Sequence, residues 1–141
     1  MMISTRGRYA LRVMLDLAQH KDESEYIPMK EVAARQEISL KYLERILPIL
    51  VNEKLSEGEH GKGGGYRLTR RPSEYKVGEI LRLTEGNLAP VTCVECEDEE
   101  REQKGETRTI GMWEEIDKIV NDYFDSKTIE DLMYNDVAAY I

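Results

Sequence analysis

The chain has 141 residues, a formal net charge of -8 at pH 7, and hydrophobic residues at 40% of its positions. One domain with an extension fits this length, and such a chain can bury a modest core without disulfides or metal ions. Two cysteines are too few for a disulfide framework, no apolar run reaches the eighteen residues of a membrane span, and the N-terminus has no signal-peptide pattern. These features exclude a disulfide-rich scaffold and a membrane protein, and we expect a cytoplasmic protein.

The charge is divided unevenly along the chain. Residues 1–71 contain 13 Lys and Arg against 10 Asp and Glu, whereas residues 72–141 contain 7 against 18. The net charge is therefore +3 in the first part and -11 in the second. A basic first half followed by an acidic remainder is expected when only the first half contacts nucleic acid.

Two helices are predicted near the N-terminus. Apolar residues recur at helical spacing over residues 9–18, and Ser4 or Thr5 can cap the start of this first helix. Three arginines lie outside its apolar stripe: Arg6, Arg8 and Arg12. Residues 29–36 form the second predicted helix, and residues 37–38 then form the turn of a helix-turn-helix.

The third predicted helix has one apolar face and one charged face. Its apolar face is formed by Leu40, Leu43, Leu47 and Leu50, at intervals of three and four. Ser39 can act as its N-cap, because the hydroxyl can accept from the free amides of the first turn. Pro48 has no backbone donor, so we expect a bend or break between residues 40–47 and 49–55. The charged face carries Lys41, Glu44 and Arg45 and is free to read DNA.

A glycine-rich hairpin follows this helix. Residues 55–59 and 66–69 are predicted strands, joined by a tip that reads His-Gly-Lys-Gly-Gly-Gly-Tyr at residues 60–66. Three consecutive glycines can take positive φ and carry no side chain, so the tip can turn sharply and its amides can approach a phosphate. A turn without a ligand is the alternative, whereas a nucleotide-binding loop is disfavoured because the G-x-x-x-x-G-K-[ST] order is absent. A cationic helix joined to such a hairpin predicts a winged helix-turn-helix.

The second half of the chain predicts a dimerisation element. Residues 77–84 form a helix ended by Gly86, residues 91–108 show no apolar period, and Thr128 begins a short last helix. Between them, a helix carries an apolar stripe made of Trp113, Ile116, Ile119, Val120 and Tyr123. We expect this stripe to pack on a second copy of the chain, the alternative being that it folds back on its own domain.

The predicted fold class is mainly α with a small β-hairpin wing, that is, a winged helix-turn-helix plus a long dimerisation helix. The predicted domains are a DNA-binding domain at residues 1–86, a cysteine-containing effector loop at 87–108, and the dimerisation helix with a C-terminal helix at 109–141.

Several segments form a recognisable set. They are Met-Ile-Ser-Thr-Arg-Gly-Arg-Tyr-Ala at residues 2–10, Ile-Ser-Leu-Lys-Tyr-Leu-Glu at 38–44, Gly-Gly-Gly-Tyr-Arg-Leu at 63–68, and Thr-Ile-Glu-Asp-Leu at 128–132. Together with Trp113 they resemble the IscR, NsrR and CymR type of bacterial transcriptional regulator, the Rrf2 family, over almost the whole chain. The resemblance implies a homodimeric repressor that binds a pseudo-palindromic operator in double-stranded DNA, with the long helix around Trp113 crossing between subunits.

The resemblance also implies where DNA is contacted. The contacts lie on the third helix, on the wing and near the chain start: Ser39, Lys41, Tyr42, Glu44 and Arg45; His60, Gly61, Lys62, Gly63, Gly64, Gly65 and Tyr66; and Thr5, Arg6 and Arg8. Arg45 can form a fork to guanine, Glu44 can accept from a cytosine amino group, and Lys41 or Lys62 can neutralise phosphate. Two carboxylates beside the wing, Glu57 and Glu59, weaken phosphate attraction. A protein-interaction module that has lost DNA binding is therefore the alternative function.

Cys93 and Cys96 raise the question of an effector. In cluster-binding members of the family this loop has three cysteines, and some members add a histidine just before the tryptophan; here Thr107 and Ile110 stand at those places. No cofactor is expected, because two thiolates are too few for a 2Fe-2S cluster of the family type. An iron-sulfur cluster of other ligation, zinc shared across a dimer, or a thiol switch that responds to redox remain open, as does a metabolite effector.

An enzyme is not predicted. His20 and His60 are far apart in the sequence, and no nucleophile motif is present. A thiol oxidoreductase built on Cys93-x-x-Cys96 lacks the strand and helix that such a motif should join.

Overall fold

The computed structural model describes residues 2–21, 25–91 and 108–135. Its helices are α1 (Thr5–Gln19), α2 (Met29–Gln36), α3 (Leu40–Asn52), α4 (Val77–Glu85), α5 (Ile110–Asp125) and α6 (Ile129–Met133); its strands are β1 (Ser56–Glu59) and β2 (Gly65–Leu68), and a 3₁₀ turn covers Pro72–Glu74. These mostly helical segments with one hairpin confirm the predicted fold class.

Two serine caps and one left-handed residue set the ends of the helices in the helix-turn-helix. The Ser4 hydroxyl accepts from the Gly7 backbone N–H at 3.3 Å and caps α1, and the Ser39 hydroxyl accepts from the Tyr42 N–H at 3.1 Å and caps α3. Between α2 and α3 the chain turns at Glu37, whose φ of 53° is left-handed. Both predicted caps are therefore confirmed, because they depend only on a hydroxyl placed before a first turn.

The wing is an antiparallel hairpin in which Ser56 faces Leu68 and Glu59 faces Gly65. The strands start and end within one residue of the prediction. Outside the hairpin, Ile27 forms an isolated bridge with Tyr66, through two backbone hydrogen bonds of 2.9 Å. This bridge ties the wing to the segment before α2.

The core lies among the first three helices and closes on residues from much later in the chain. On α3 the buried residues are Leu43, Ile46, Leu47 and Leu50. The prediction for Leu40 was wrong, since its side chain is 37% exposed, and Ile46 takes its place in the apolar face. The packing of α1 and α2 against α3 determines which of its residues are covered, and the spacing of apolar residues alone does not specify this.

Pro48 does not break α3, so the expected break between residues 40–47 and 49–55 is corrected. The helix runs from Leu40 to Asn52 with Pro48 inside it and exposed to solvent. An interior proline costs about 3 kcal/mol. Burying the four α3 side chains gains about 1.5 to 3 kcal/mol each. Packing on both sides of Pro48 therefore outweighs the lost backbone hydrogen bond.

The C-terminal helix α6 packs into the core formed by the first three helices. Ile129 is fully buried in the same cluster as the α1 side chains, and its N–H donates to the Tyr75 carbonyl at 3.0 Å. Nearby, Lys76 and Thr128 form a β-bridge. Thr128 also makes a capping box with Asp131, which confirms the predicted start of this helix.

The long helix α5 packs beside α4. Val77, Leu81 and Leu88 form a second buried cluster, and Val120 and Phe124 of α5 pack against it. In the described parts of the chain, no helix has the length and apolar character needed to span a bilayer.

Candidate nucleic-acid interface

The exposed face of α3 carries charges without internal partners. Lys41, Glu44 and Arg45 are all exposed, and within residues 2–21, 25–91 and 108–135 none of their side chains makes an ion pair or a hydrogen bond. Exposed cations left unpaired by the fold are available to a polyanion. The face predicted to read DNA is therefore open.

Arg6 lies beside this face. It lines a cleft of about 250 Å³ together with Tyr42, Arg45, Ile46 and Ile49, so the start of α1 meets the exposed side of α3 there. Two guanidinium side chains from different helices thus border one cleft. Guanidinium groups bind phosphate oxygens through paired N–H donors. The structure brings these two predicted contact residues together.

A carboxylate from α4 lies at the first turn of α1. Glu85 of α4 accepts a hydrogen bond from the Ser4 N–H at 3.0 Å, which places a carboxylate at this helix end. Arg8 extends over the surface and donates to the Thr5 hydroxyl at 3.2 Å. Glu85 would repel a phosphate at this end, whereas the side chains of Arg6 and Arg8 are cationic and exposed.

Tyr42 is held in place by a chain of contacts from α1 and α2. Its ring meets the Tyr9 ring edge-on, with centroids 5.3 Å apart. The Arg12 guanidinium lies 5.1 Å from the centre of the Tyr9 ring and donates to the Gln36 amide oxygen at 3.2 Å. Arg12 therefore stabilises the packing of the recognition helix and is not a free cation.

Behind this chain, a buried carboxylate joins α1 to the end of α2. Asp16 has no exposed surface and accepts from Arg35 at 2.7 and 3.0 Å and from the Gln36 amide at 2.9 Å. The hydrogen bond that Arg35 donates to Asp16 raises the pKa of Arg35 above its ordinary value. Sequence reasoning missed this network, whose only local signal is an acidic residue between the apolar positions of α1.

The wing glycines are required by the fold itself. Gly61 and Gly63 have φ of 94° and 82°, which favour glycine. A Cβ at Gly64 would collide with the Glu59 carbonyl oxygen, and one at Gly65 with the Ile27 carbonyl oxygen. Close backbone packing inside the protein thus explains two glycines without any ligand. His60 and Lys62 are exposed at the tip, and neither has a partner in the described segments.

One of the two wing carboxylates is neutralised. Glu57 faces Arg67 across the hairpin and forms an ion pair with it. Arg67 also pairs with Glu25 at 2.6 Å and lies 4.5 Å from the centre of the Tyr26 ring. The hydrogen bond that Arg67 donates to Glu57 raises the pKa of Arg67. Glu59 is therefore the wing acid that weakens attraction of phosphate to the tip.

The long helix α5 leaves an apolar face uncovered. The exposed fractions are 56% for Met112, 39% for Ile116, 55% for Ile119 and 59% for Tyr123. Trp113 and Val120 are half-buried, and Val120 packs against the second buried cluster of the same chain. The predicted interface set is therefore split by the structure: Val120 faces inward, and Met112, absent from the prediction, extends the exposed face.

Cys93, Cys96 and Thr107 lie outside the described residues. Ile110 is described as the first residue of α5, and its side chain has no atom that can ligate a metal. Among the described residues there is also no group of three His, Cys, Asp or Glu side chains suited to a metal ion.

A capped helix-turn-helix with an unpaired cationic face, beside a glycine-rich wing, defines a winged helix-turn-helix DNA-binding protein. Residues 3–135 match the family model described as Rrf2, an iron-dependent transcriptional regulator. The chain belongs to the Rrf2 family of bacterial transcriptional regulators.

Named relatives share this family over most of their length. The HTH-type transcriptional regulator CymR of Bacillus subtilis is 34% identical over 132 residues, which cover 94% of this chain and 89% of CymR. The regulator IscR of Pectobacterium atrosepticum is 31% identical over 136 residues, covering 96% and 80%. A solved structure of CymR, the global cysteine regulator of B. subtilis, superposes with a TM-score of 0.78 at 35% identity, covering 96% of this chain and 99% of that one. These relatives are transcriptional regulators, a non-enzymatic class, as predicted.

Proposed function

We propose that the chain acts in the cytoplasm as a homodimer that binds a pseudo-palindromic operator and represses transcription. The observation that carries this proposal is the open cationic surface formed by Lys41 and Arg45 of α3 with Arg6 of α1. The Arg6 and Arg45 side chains border one cleft, and Lys41 lies one turn earlier on the recognition helix. Such a surface matches the phosphates that flank a major groove.

Each side chain has a distinct role in this proposal. Arg45 donates two N–H groups to a guanine edge, and Glu44 accepts from a cytosine amino group. Lys41, Arg6 and Lys62 neutralise phosphates, which positions the protein without selecting sequence. The Ser39 hydroxyl is already engaged in the cap of α3, so it orients the helix start. The wing then approaches the adjacent backbone through Lys62 and the amides of its glycines.

The exposed face of α5 supports the homodimer. Four large apolar side chains at positions 112, 116, 119 and 123 share one side of the helix and are 39% exposed or more. Covering such side chains gains about 1.5 to 3 kcal/mol each when burial is complete. A second copy offers the same stripe, so an isologous interface is self-complementary. Two recognition helices would then reach half-sites about 34 Å apart.

Base reading by Arg45 tests the DNA-binding part of the proposal. Operator DNA is selected with the wild-type protein, and affinity is measured for matched and mismatched sites over a salt series. Arg45→Ala should lose about 1 to 3 kcal/mol of base discrimination. Arg71→Ala is the matched control, since Arg71 is equally exposed and lies outside the proposed interface. Equal discrimination by wild type and Arg45→Ala would refute the assigned role.

A protein-interaction module is the second candidate. Glu59 favours it, because this exposed acid at the end of β1 is close to the wing tip and opposes phosphate binding. The two functions differ in salt dependence: a DNA-binding protein loses affinity steeply with salt as counterions are released. Absence of any salt-dependent retention on DNA would favour the interaction module.

The effector is proposed separately from DNA binding. A complete 2Fe-2S site of the family type does not fit this chain, because Ile110 offers no ligand and only Cys93 and Cys96 supply thiolates. Response to redox, to a soft metal or to a metabolite remains compatible with the two cysteines.

A further inference from the structure

Tyr75 occupies a junction beneath the wing. Its side chain has no exposed surface, and its hydroxyl donates to the Leu55 carbonyl at 2.7 Å. The same oxygen accepts from the backbone N–H groups of Thr69 and Arg70, each at 2.9 Å. One hydroxyl therefore satisfies three backbone groups, the full capacity of a phenol oxygen with one donor and two lone pairs.

These three backbone groups are the two ends of the hairpin. Leu55 immediately precedes β1, and Thr69 and Arg70 immediately follow β2. A second tie joins the same ends, because the Thr69 hydroxyl donates to the Lys54 carbonyl at 2.7 Å. The wing is thus clamped at its base by side chains.

Tyr75 is also held in place by contacts with residues outside the hairpin, one to its backbone and one to its ring. Its backbone carbonyl accepts from the Ile129 N–H at 3.0 Å, so the start of α6 is bonded to the same residue. The Arg70 guanidinium lies 5.2 Å from the centre of the ring and pairs with Glu79 of α4 at 3.0 Å. The base of the wing is therefore connected to α4 through Arg70 and to α6 through Tyr75.

We infer that Tyr75 is a positioning residue for DNA binding, which sets the angle of the wing through its hydroxyl; this rests on the proposed DNA-binding function. Lys62 is seven residues from Leu55 along the chain, which spans at most roughly 23 Å at the usual rise. A rotation of about 5° at the base moves such a tip by up to about 2 Å, which exceeds the distance window of a hydrogen bond. Tyr75 touches no DNA in this arrangement and acts through the position of Lys62.

Tyr75→Phe removes the hydroxyl and keeps the ring. The matched control is Thr84→Val, which removes a buried hydroxyl that bonds only the Ile80 and Leu81 carbonyls of its own helix. We expect Tyr75→Phe to lower affinity for selected operator DNA about tenfold, because three backbone groups lose their partner and the wing base shifts. Thr84→Val should leave the affinity within about twofold of wild type.

A double-mutant cycle separates positioning from a general structural effect. If Tyr75 acts through the wing, Tyr75→Phe should cost little in a Lys62→Ala background, where the tip contact is already lost. In an Arg45→Ala background the cost should stay about tenfold, because the recognition helix is a separate contact. Equal cost in both backgrounds, or unchanged affinity of Tyr75→Phe, would overturn the inference.

A measurement without DNA distinguishes failure of the clamp from failure of the proposed function. Amide hydrogen exchange at Thr69 and Arg70 should accelerate in Tyr75→Phe, while amides within α1 and α3 keep their protection. If Tyr75→Phe does not fold, Thr69→Val removes the second tie at the same base and should show the same dependence on Lys62. Wild-type protein that binds no DNA would refute the function, whereas unchanged exchange at Thr69 and Arg70 would refute the clamp.

Discussion

The helices α3 and α5 are both amphipathic, yet they leave opposite chemistries exposed. The apolar face of α3 is buried within the chain, and its exposed side carries Lys41 and Arg45, which have no ion-pair partner among the described residues. No residue of α5 is fully buried, and its exposed side carries Ile116 and Ile119. The apolar face of α3 is covered, so its exposed side can bind only a charged partner such as a polyanion. The exposed side of α5 is apolar and suits an apolar partner. Two binding surfaces of different chemistry thus follow from where each apolar stripe is covered.

The largest expected effect concerns the partner of α5. Replacing Ile116 and Ile119 together by Asp would bury unpaired charge in the proposed dimer interface, at a cost of several kcal/mol. Sedimentation velocity should show a monomer that retains its helix content by circular dichroism. Lys118→Asp changes the net charge by the same two units at an exposed position of the same helix and should stay dimeric. A double variant that remains dimeric would place the interface elsewhere.

The next effect concerns how firmly α1 and α2 are joined. Asp16→Ala leaves the Arg35 and Gln36 donors facing a buried void, so it should destabilise the fold by about 3 kcal/mol. Glu31→Ala is the matched control, because Glu31 pairs with the same Arg35 at 3.6 Å from an exposed position and should cost less than about 1 kcal/mol. Urea unfolding at one fixed protein concentration measures both. A similar loss of unfolding free energy in the two variants would show that the buried pair does not hold α2 to α1.

A smaller effect separates the two contacts with DNA. Lys62→Ala should weaken binding nearly uniformly across sequences and reduce the slope of log affinity against log salt by about 1. Loss of base discrimination should instead be confined to Arg45→Ala. A Lys62→Ala protein with an unchanged salt slope would mean that the wing tip does not neutralise phosphate.

The smallest expected signal is in iron-sulfur reconstitution, where we expect no stable cluster. Anaerobic reconstitution should leave little bound iron and sulfide, because Cys93 and Cys96 supply only two of the four ligands such clusters need. Visible absorption with iron and sulfide analysis measures this, and Cys93→Ala is the control. Stoichiometric iron and sulfide that disappear in Cys93→Ala would instead indicate a cluster with unusual ligands.

Much of the fold could be predicted because its signals are local. Ser4, Ser39 and Thr128 cap helices through atoms within three residues of themselves, so a hydroxyl before an apolar period is enough to locate each helix start. The glycines predict the hairpin turn, but the sequence indicated only that glycine can adopt the turn conformation, not that other residues cannot. Their close approach to Glu59 and Ile27 became visible as a requirement in three dimensions.

The sequence by itself therefore determined the order of helices, their caps, the hairpin and the family to which the chain belongs. Only the tertiary structure decided which residues share a function across distant segments. Arg12 was predicted to lie outside the apolar stripe of α1, and nothing in the sequence singled out Tyr75. In the structure Arg12 supports Tyr42 through Tyr9, and Tyr75 clamps the base of the wing. Val120 likewise turned inward. Periodicity shows that a side chain lies on a face, but the neighbouring elements determine what covers that face.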